Sequence, residues 1–171
     1  MFWPFGKEKP VGDEAPVELP IPTFVRPFIT PDRKKSGPEG VSGSIRCTCG
    51  CTAFNAMHSV DGERLYRLLC RDCRQDILLF DGAKYGWDAL VCQMPLEDMQ
   101  SGEAAEQCAK CGCADFHANV WYEPTAREEY DSCRGDLPEE EWVNAFTWFS
   151  ADLICSACGH MLRSWADVET A

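Results

Sequence analysis

Cysteine is the one residue type here whose number and spacing together specify a chemistry, with twelve in 171 residues. Eight fall into four close pairs. Cys47-Thr-Cys49-Gly50 is followed by Cys70-Arg-Asp-Cys73, and Cys108-Ala-Lys-Cys111-Gly112 by Cys155-Ser-Ala-Cys158-Gly159. Two pairs of neighbouring thiols joined by strand-like sequence are how a chain places four thiolates around a divalent ion. The spacing predicts two such sites, one from Cys47, Cys49, Cys70 and Cys73, the other from Cys108, Cys111, Cys155 and Cys158. The first pair is irregular. Aligning Cys49-Gly50-Cys51-x-x-Phe54 with Cys111-Gly112-Cys113-x-x-Phe116 puts Arg46 opposite Cys108. Its ligands are then Cys47 with Cys49 across one residue, the preferred reading, or one of these with Cys51 as the substitute.

The competing use of so many cysteines is a disulfide framework, which belongs to secreted chains. Met1-Phe-Trp-Pro-Phe-Gly-Lys lacks the basic region and apolar run of a secretory signal, and no stretch approaches about 20 apolar residues. C-x-x-C pairs fit chelation in a reducing compartment, so an intracellular, cytoplasmic location is expected, or a virion if the chain is viral. The remaining thiols, Cys51 and Cys113 beside the pairs and Cys92 and Cys133 elsewhere, are expected to be small buried residues. His160 follows Gly159 and is a substitute ligand at most, while His58 and His117 read as strand-face residues. No histidine, carboxylate and nucleophile cluster together, and four thiolates close a coordination shell that a catalytic ion keeps open. The expectation is a protein with no catalytic residues.

Cys108-x2-Cys111-Gly112, Cys155-x2-Cys158-Gly159 and Cys70-x2-Cys73 resemble the knuckles of the zinc-ribbon and rubredoxin-like family. Glycine after the second thiol allows the left-handed turn such a knuckle needs; Arg74 takes that place once, a departure from the pattern. The resemblance implies two zinc ions, or iron in their place, and a three-stranded antiparallel ribbon around each.

The elements that would hold the thiols can be read from alternation and turn residues. Strands are expected at 52–60, 63–69 and 75–80, with Asp61-Gly62 as a hairpin turn. In the second half they are expected at 115–122, 145–154 and 160–165. A helix from about Leu137 to Phe146, capped by Asp136 and opened by Pro138, is inserted between the first two of these. The fold class is then small, metal-stabilised and mainly β: an extended arm (1–43), a first ribbon (44–94), an acidic linker (95–107) and a second ribbon (108–171). Two independent units follow from this layout, so Cys155→Ser would unfold the second and spare the first.

Eight of the eleven prolines lie in the arm, together with Phe2, Trp3, Phe5, Phe24 and Phe28. Proline at that density favours extended chain, and apolar groups on extended chain suit a protein partner's surface. The formal charge of −12 sits in residues 95–171, which hold sixteen acidic groups against four basic ones. That surface repels phosphate backbones. Binding of nucleic acid is therefore confined to the first unit, where Arg46, Arg64, Arg67, Arg71 and Arg74 cluster. The leading expectation is a non-enzymatic zinc protein acting as a protein-interaction module or a small subunit of a larger assembly. A nucleic-acid-binding ribbon and a rubredoxin-like iron carrier stand behind it.

Overall fold

The computed structural model describes residues 18–60, 64–94 and 102–171. Phe2, Trp3, Phe5 and the expected turn at Asp61-Gly62 lie outside these. Among the described residues nine strands form one antiparallel sheet: β1 (Ile29–Pro31), β2 (Val41–Ile45), β3 (Phe54–Ser59), β4 (Leu65–Cys70), β5 (Asp76–Asp81), β6 (Glu103–Ala105), β7 (Asp115–Glu123), β8 (Trp148–Cys155) and β9 (Met161–Glu169). The two meanders, β3-β4-β5 and β7-β8-β9, are where alternation placed them. Along β8 every second residue (Phe149, Ala151, Leu153, Cys155) is buried, the period of a strand with one wet face.

The two ribbons are not separate sheets. Phe54 and Phe116, which hold the same place in the two cysteine phrases, pair with each other across β3 and β7. Each half then lends its leading strand to the other. Strand β2 pairs with β7 through Ser44↔Asn119 and Ser42↔Trp121, and β6 pairs with β3 through Ala105↔Met57 and Glu103↔Ser59. These registers are equivalent once the first knuckle is counted as one residue short. The halves are thus exchanged about a local two-fold axis at Phe54 and Phe116. A pair of isolated three-stranded ribbons is corrected to a single continuous sheet, within which β6 falls in the span expected to be linker, β1 in the span expected to be arm, and β2 across the boundary expected between arm and first ribbon.

The sheet curls so that both halves face one core. Phe80 of β5 stacks on Phe149 of β8 with centroids 5.6 Å apart, and Tyr66 of β4 meets Trp165 of β9 edge-on at 5.0 Å. The hydroxyl of Tyr122, fully buried, donates to the Leu79 carbonyl at 2.7 Å; burial also holds its phenol well above the usual range. Beyond β5 the chain makes one helical turn, α1 (Trp87–Leu90), and docks on the second half. There Gly86, Trp87 and Asp88 donate their amides to the carbonyls of Asn144, Phe146 and Thr170.

Two expected elements differ. The insertion holds an α-helix, α2 (Arg127–Cys133), anchored by buried Tyr130, and then a 3-10 helix at Glu139–Asn144 instead of an α-helix from 137 to 146. Pro138 is its N-cap and no side chain caps it. The element is only six residues long, a length at which 3-10 geometry is common, and Trp142 Nε1 donates to the Thr125 carbonyl at 2.8 Å.

Phe24 and Phe28, expected to wait for a partner, pack against the protein's own core. Phe24 lies 4.2 Å from the Tyr85 ring, and the Thr23 amide donates to Asn144 Oδ1 at 2.8 Å, tying this part of the chain to the insertion. Phe24→Ala is therefore expected to cost about 2–3 kcal/mol, or a melting temperature lower by roughly 5–10 °C, with metal content unchanged. An unchanged melting curve would remove residues 18–28 from the core.

Candidate metal centres

Each knuckle is a tight turn closed by the same two backbone bonds. In the second half, Cys108 N–H donates to the Cys113 carbonyl and Gly112 N–H returns to the Cys108 carbonyl. Cys155 with His160, and Gly159 with Cys155, repeat this. Cys70 with Gln75, and Arg74 with Cys70, do so in the first half. The irregular knuckle uses bonds one residue shorter, Cys47 to Cys51 and Gly50 to Cys47. A one-residue gap between thiols is thus absorbed in the turn while the sulfurs keep their places. The closing residue is left-handed in all four: Gly50, Gly112 and Gly159 at φ 93°, 73° and 68°, and Arg74 at 62°. Arg74 lacks the freedom of glycine there, but its guanidinium donates to Asn55 Oδ1 at 3.0 Å.

These turns gather the thiols into two groups. The sulfurs of Cys47, Cys49, Cys70 and Cys73 lie within 4.8 Å of one another, as do those of Cys108, Cys111, Cys155 and Cys158. The shortest contacts are Cys47 to Cys73 at 3.4 Å and Cys49 to Cys70 at 3.6 Å. In the other group they are Cys108 to Cys158 at 3.6 Å and Cys111 to Cys155 at 3.5 Å. A disulfide needs about 2.05 Å, whereas four sulfurs about 2.3 Å from a central ion stand about 3.8 Å apart. The spacing fits an ion in each group. Cys47, Cys70, Cys108 and Cys155 are buried, while Cys49, Cys73 and Cys111 are exposed, so each cluster plugs the rim of the core.

Ionisation is uneven within each group. At Cys70 burial opposes the thiolate, but the amides of Cys73 and Asp72 outweigh it and bring the pKa down to about 6. At Cys155 the Cys158 amide leads, burial opposes, and the Ala157 amide adds to a value of about 6. The Cys51 amide favours a thiolate at Cys49, yet burial and the neighbouring thiols push it up to about 12. Cys111 behaves likewise: the Cys113 amide favours the thiolate, and Cys158 and Cys155 push it to about 12. Four thiolates cannot crowd together without a cation to replace their protons.

The other thiols stand apart. Cys51 Sγ accepts the Ala53 amide and Cys113 Sγ the Asp115 amide, each at 3.4 Å. Both are half-buried, not fully buried as expected, and both serve as acceptors that lead the chain from knuckle into strand. Cys92 and Cys133, also expected inside, are exposed because α1 and α2 lie on the surface. His160 is exposed and contributes its carbonyl to a knuckle. His58 and His117 lie on strands, with His117 Nδ1 2.7 Å from the Thr52 carbonyl.

Sequence reasoning missed the polar bridge between the centres. Asn55 donates to Asp115 Oδ1 at 2.9 Å and to the Ala114 carbonyl at 3.1 Å, and Arg71 reaches Asp115 at 3.8 Å. Asn55 and Asp115 are partners in the β3–β7 register. The matching Phe54 and Phe116 phrases carried the signal, but only their pairing reveals it. Among the described residues no helix is long and apolar enough to cross a membrane. The chain matches no protein-family model, no curated protein and no solved structure.

Proposed function

We propose that this is a non-enzymatic zinc protein, a pair of zinc ribbons interlocked into one rigid platform that binds another protein. The observation that carries the reading is the pair of four-sulfur clusters at tetrahedral spacing. Four thiolates fill zinc's shell and leave no position for water or substrate, which suits a structural ion. The surplus of acidic groups after residue 95 favours a basic partner surface.

Binding of nucleic acid draws less support. Arg67 is held by Glu103 and Asp76, and Arg71 lies by Asp72 and Asp115, so both are locally neutralised. An iron centre would use the same thiols. Elemental analysis of protein purified without added iron is expected to give two zinc ions per chain and a colourless solution. One ion, none, or the red of ferric thiolate would overturn the zinc assignment. Affinity capture with the full chain as bait tests the partner: retention of no protein in stoichiometric amount would leave the platform reading without support.

A further inference from the structure

The internal repeat allows one half to be compared with the other, position by position. On the outer face of the first half, Arg67 of β4 spans the sheet and donates to Glu103 of β6 and Asp76 of β5, each at 2.6 Å. That face satisfies itself. The equivalents in the second half follow from the shared registers: Asp152 stands for Arg67, Asn119 for Met57 and Ser42 for Glu103. Where one repeat carries a guanidinium held by acids, the other carries a carboxylate and no cation of its own on the strand.

A cleft of about 570 Å³ lies at that place. Its lining includes Ser44, Asn119, Ser150, Asp152, Asp167 and the Trp121 indole. Among the described residues, the side chains of Ser44, Asn119 and Ser150 have no protein hydrogen-bond partner. Asp152 accepts the Ser164 amide and Asp167 the Trp148 indole N–H, both at 2.8 Å through one oxygen, so each keeps a second oxygen to offer. The Trp121 ring lies against Gly40, where a Cβ would come within 2.1 Å of it. Lys35 also lines the cleft, is mostly exposed, and stands 3.8 Å from Asp32, the acid it offsets.

We propose that this cleft binds a guanidinium or protonated amine, in the place that Arg67 fills for itself in the first half. Asp152 and Asp167 accept charge-assisted hydrogen bonds from the cation, Ser44, Asn119 and Ser150 accept its remaining N–H groups, and the free edge of Trp121 packs on its alkyl stem. The acidic second half raises the local concentration of any cation. The site is independent of what the thiol clusters hold.

The cation has two sources, a free polyamine or an arginine side chain of a peptide, and calorimetric titration separates them. Intact, metal-loaded protein is titrated with spermidine and, separately, with the blocked peptide acetyl-Arg-Gly-Arg-amide, while Trp121 indole N–H shifts are followed by NMR. Saturable one-to-one binding of either probe, with a Trp121 shift, is expected; the probe that binds names the source. Asp152→Asn with Asp167→Asn keeps both internal acceptors and is expected to weaken binding at least tenfold. Glu128→Gln with Glu129→Gln, removing the same charge from α2, is expected to change it less than twofold. Asn119→Arg supplies the cation from the chain itself and is expected to abolish binding, which guards against misfolding of the double aspartate variant. No saturable binding of either probe would overturn the proposal. So would equal losses in the aspartate and glutamate variants, or full binding by Asn119→Arg.

Discussion

Replacing Cys155 with serine is expected to unfold both halves of the molecule in one transition and release both ions. A serine hydroxyl does not replace a thiolate ligand, so the second centre loses its closed shell. Structural zinc contributes on the order of 10–16 kcal/mol in small metal-folded peptides, against a total stability of about 5–15 kcal/mol for a typical domain. Loss of one centre is thus comparable with the whole margin. The damage does not stop at residue 108. Cys155 pairs with Phe116, which pairs with Phe54, and β7 lies between β8 on one edge and β2 and β3 on the other. Phe80 and Tyr66 of the first half rest on Phe149 and Trp165 of the second. Two-dimensional NMR with metal analysis of the variant is the measurement, with Cys133→Ser at an exposed thiol as the control. Native shifts for residues 54–81 and one ion retained would show that the first half stands alone, as its sequence suggested.

That contrast marks what was legible. The six strands of the two meanders are alternating or apolar runs that each meet a thiol turn at one end, information that is local and survives in one dimension. Strands β1, β2 and β6 are three to five residues long and carry little apolar sequence. Val41-Ser-Gly-Ser-Ile45 looks like linker, and Glu103-Ala-Ala105 like an acidic spacer, because what makes each a strand is the edge of the opposite half. A pairing with so distant a stretch of chain leaves no periodic trace in either partner. Phe24 misled for the same reason. Proline on both sides implied extended chain, whereas residues 23–28 form turns, with Arg26 N–H donating to the Pro22 carbonyl and Ile29 N–H to the Val25 carbonyl. The Tyr85 and Phe146 rings that receive Phe24 come from two distant segments. The thiol pairs were legible because ligand chemistry fixes residue type and spacing together. The short first knuckle was readable only as a choice of ligands, until the backbone bonds of Cys47 and Gly50 showed how one residue is dropped.

The remaining large effect is acid release of the ions with loss of the fold. The sign follows from the thiols. In the metal-free clusters Cys70 and Cys155 ionise at about 6, below the ordinary thiol value of 9.0, while Cys49 and Cys111 hold their protons to about 12. A thiol lowered by the fold stabilises the folded chain above its unfolded pKa, and that contribution fades as pH falls from 9 through 6. A thiol raised by the fold acts oppositely: the unfolded chain ionises it above 9 and the folded cluster resists, so metal-free protein is weakened between pH 9 and 12. A bound ion removes that conflict by displacing the protons, which makes its affinity fall as pH falls, with more than one proton taken up per ion lost. Below about pH 6 even Cys70 and Cys155, whose ionisation the fold favours, are protonated. Zinc release read with a chromogenic chelator should therefore rise steeply below pH 6. The near-ultraviolet signal of Tyr66, Trp165 and their neighbours should collapse in step. The same collapse is expected at pH 7 on adding a strong chelator, and its reversal on restoring zinc. Ions retained at pH 4, or aromatic packing that outlives their release, would mean that the hydrophobic core and not the thiol clusters holds this sheet together.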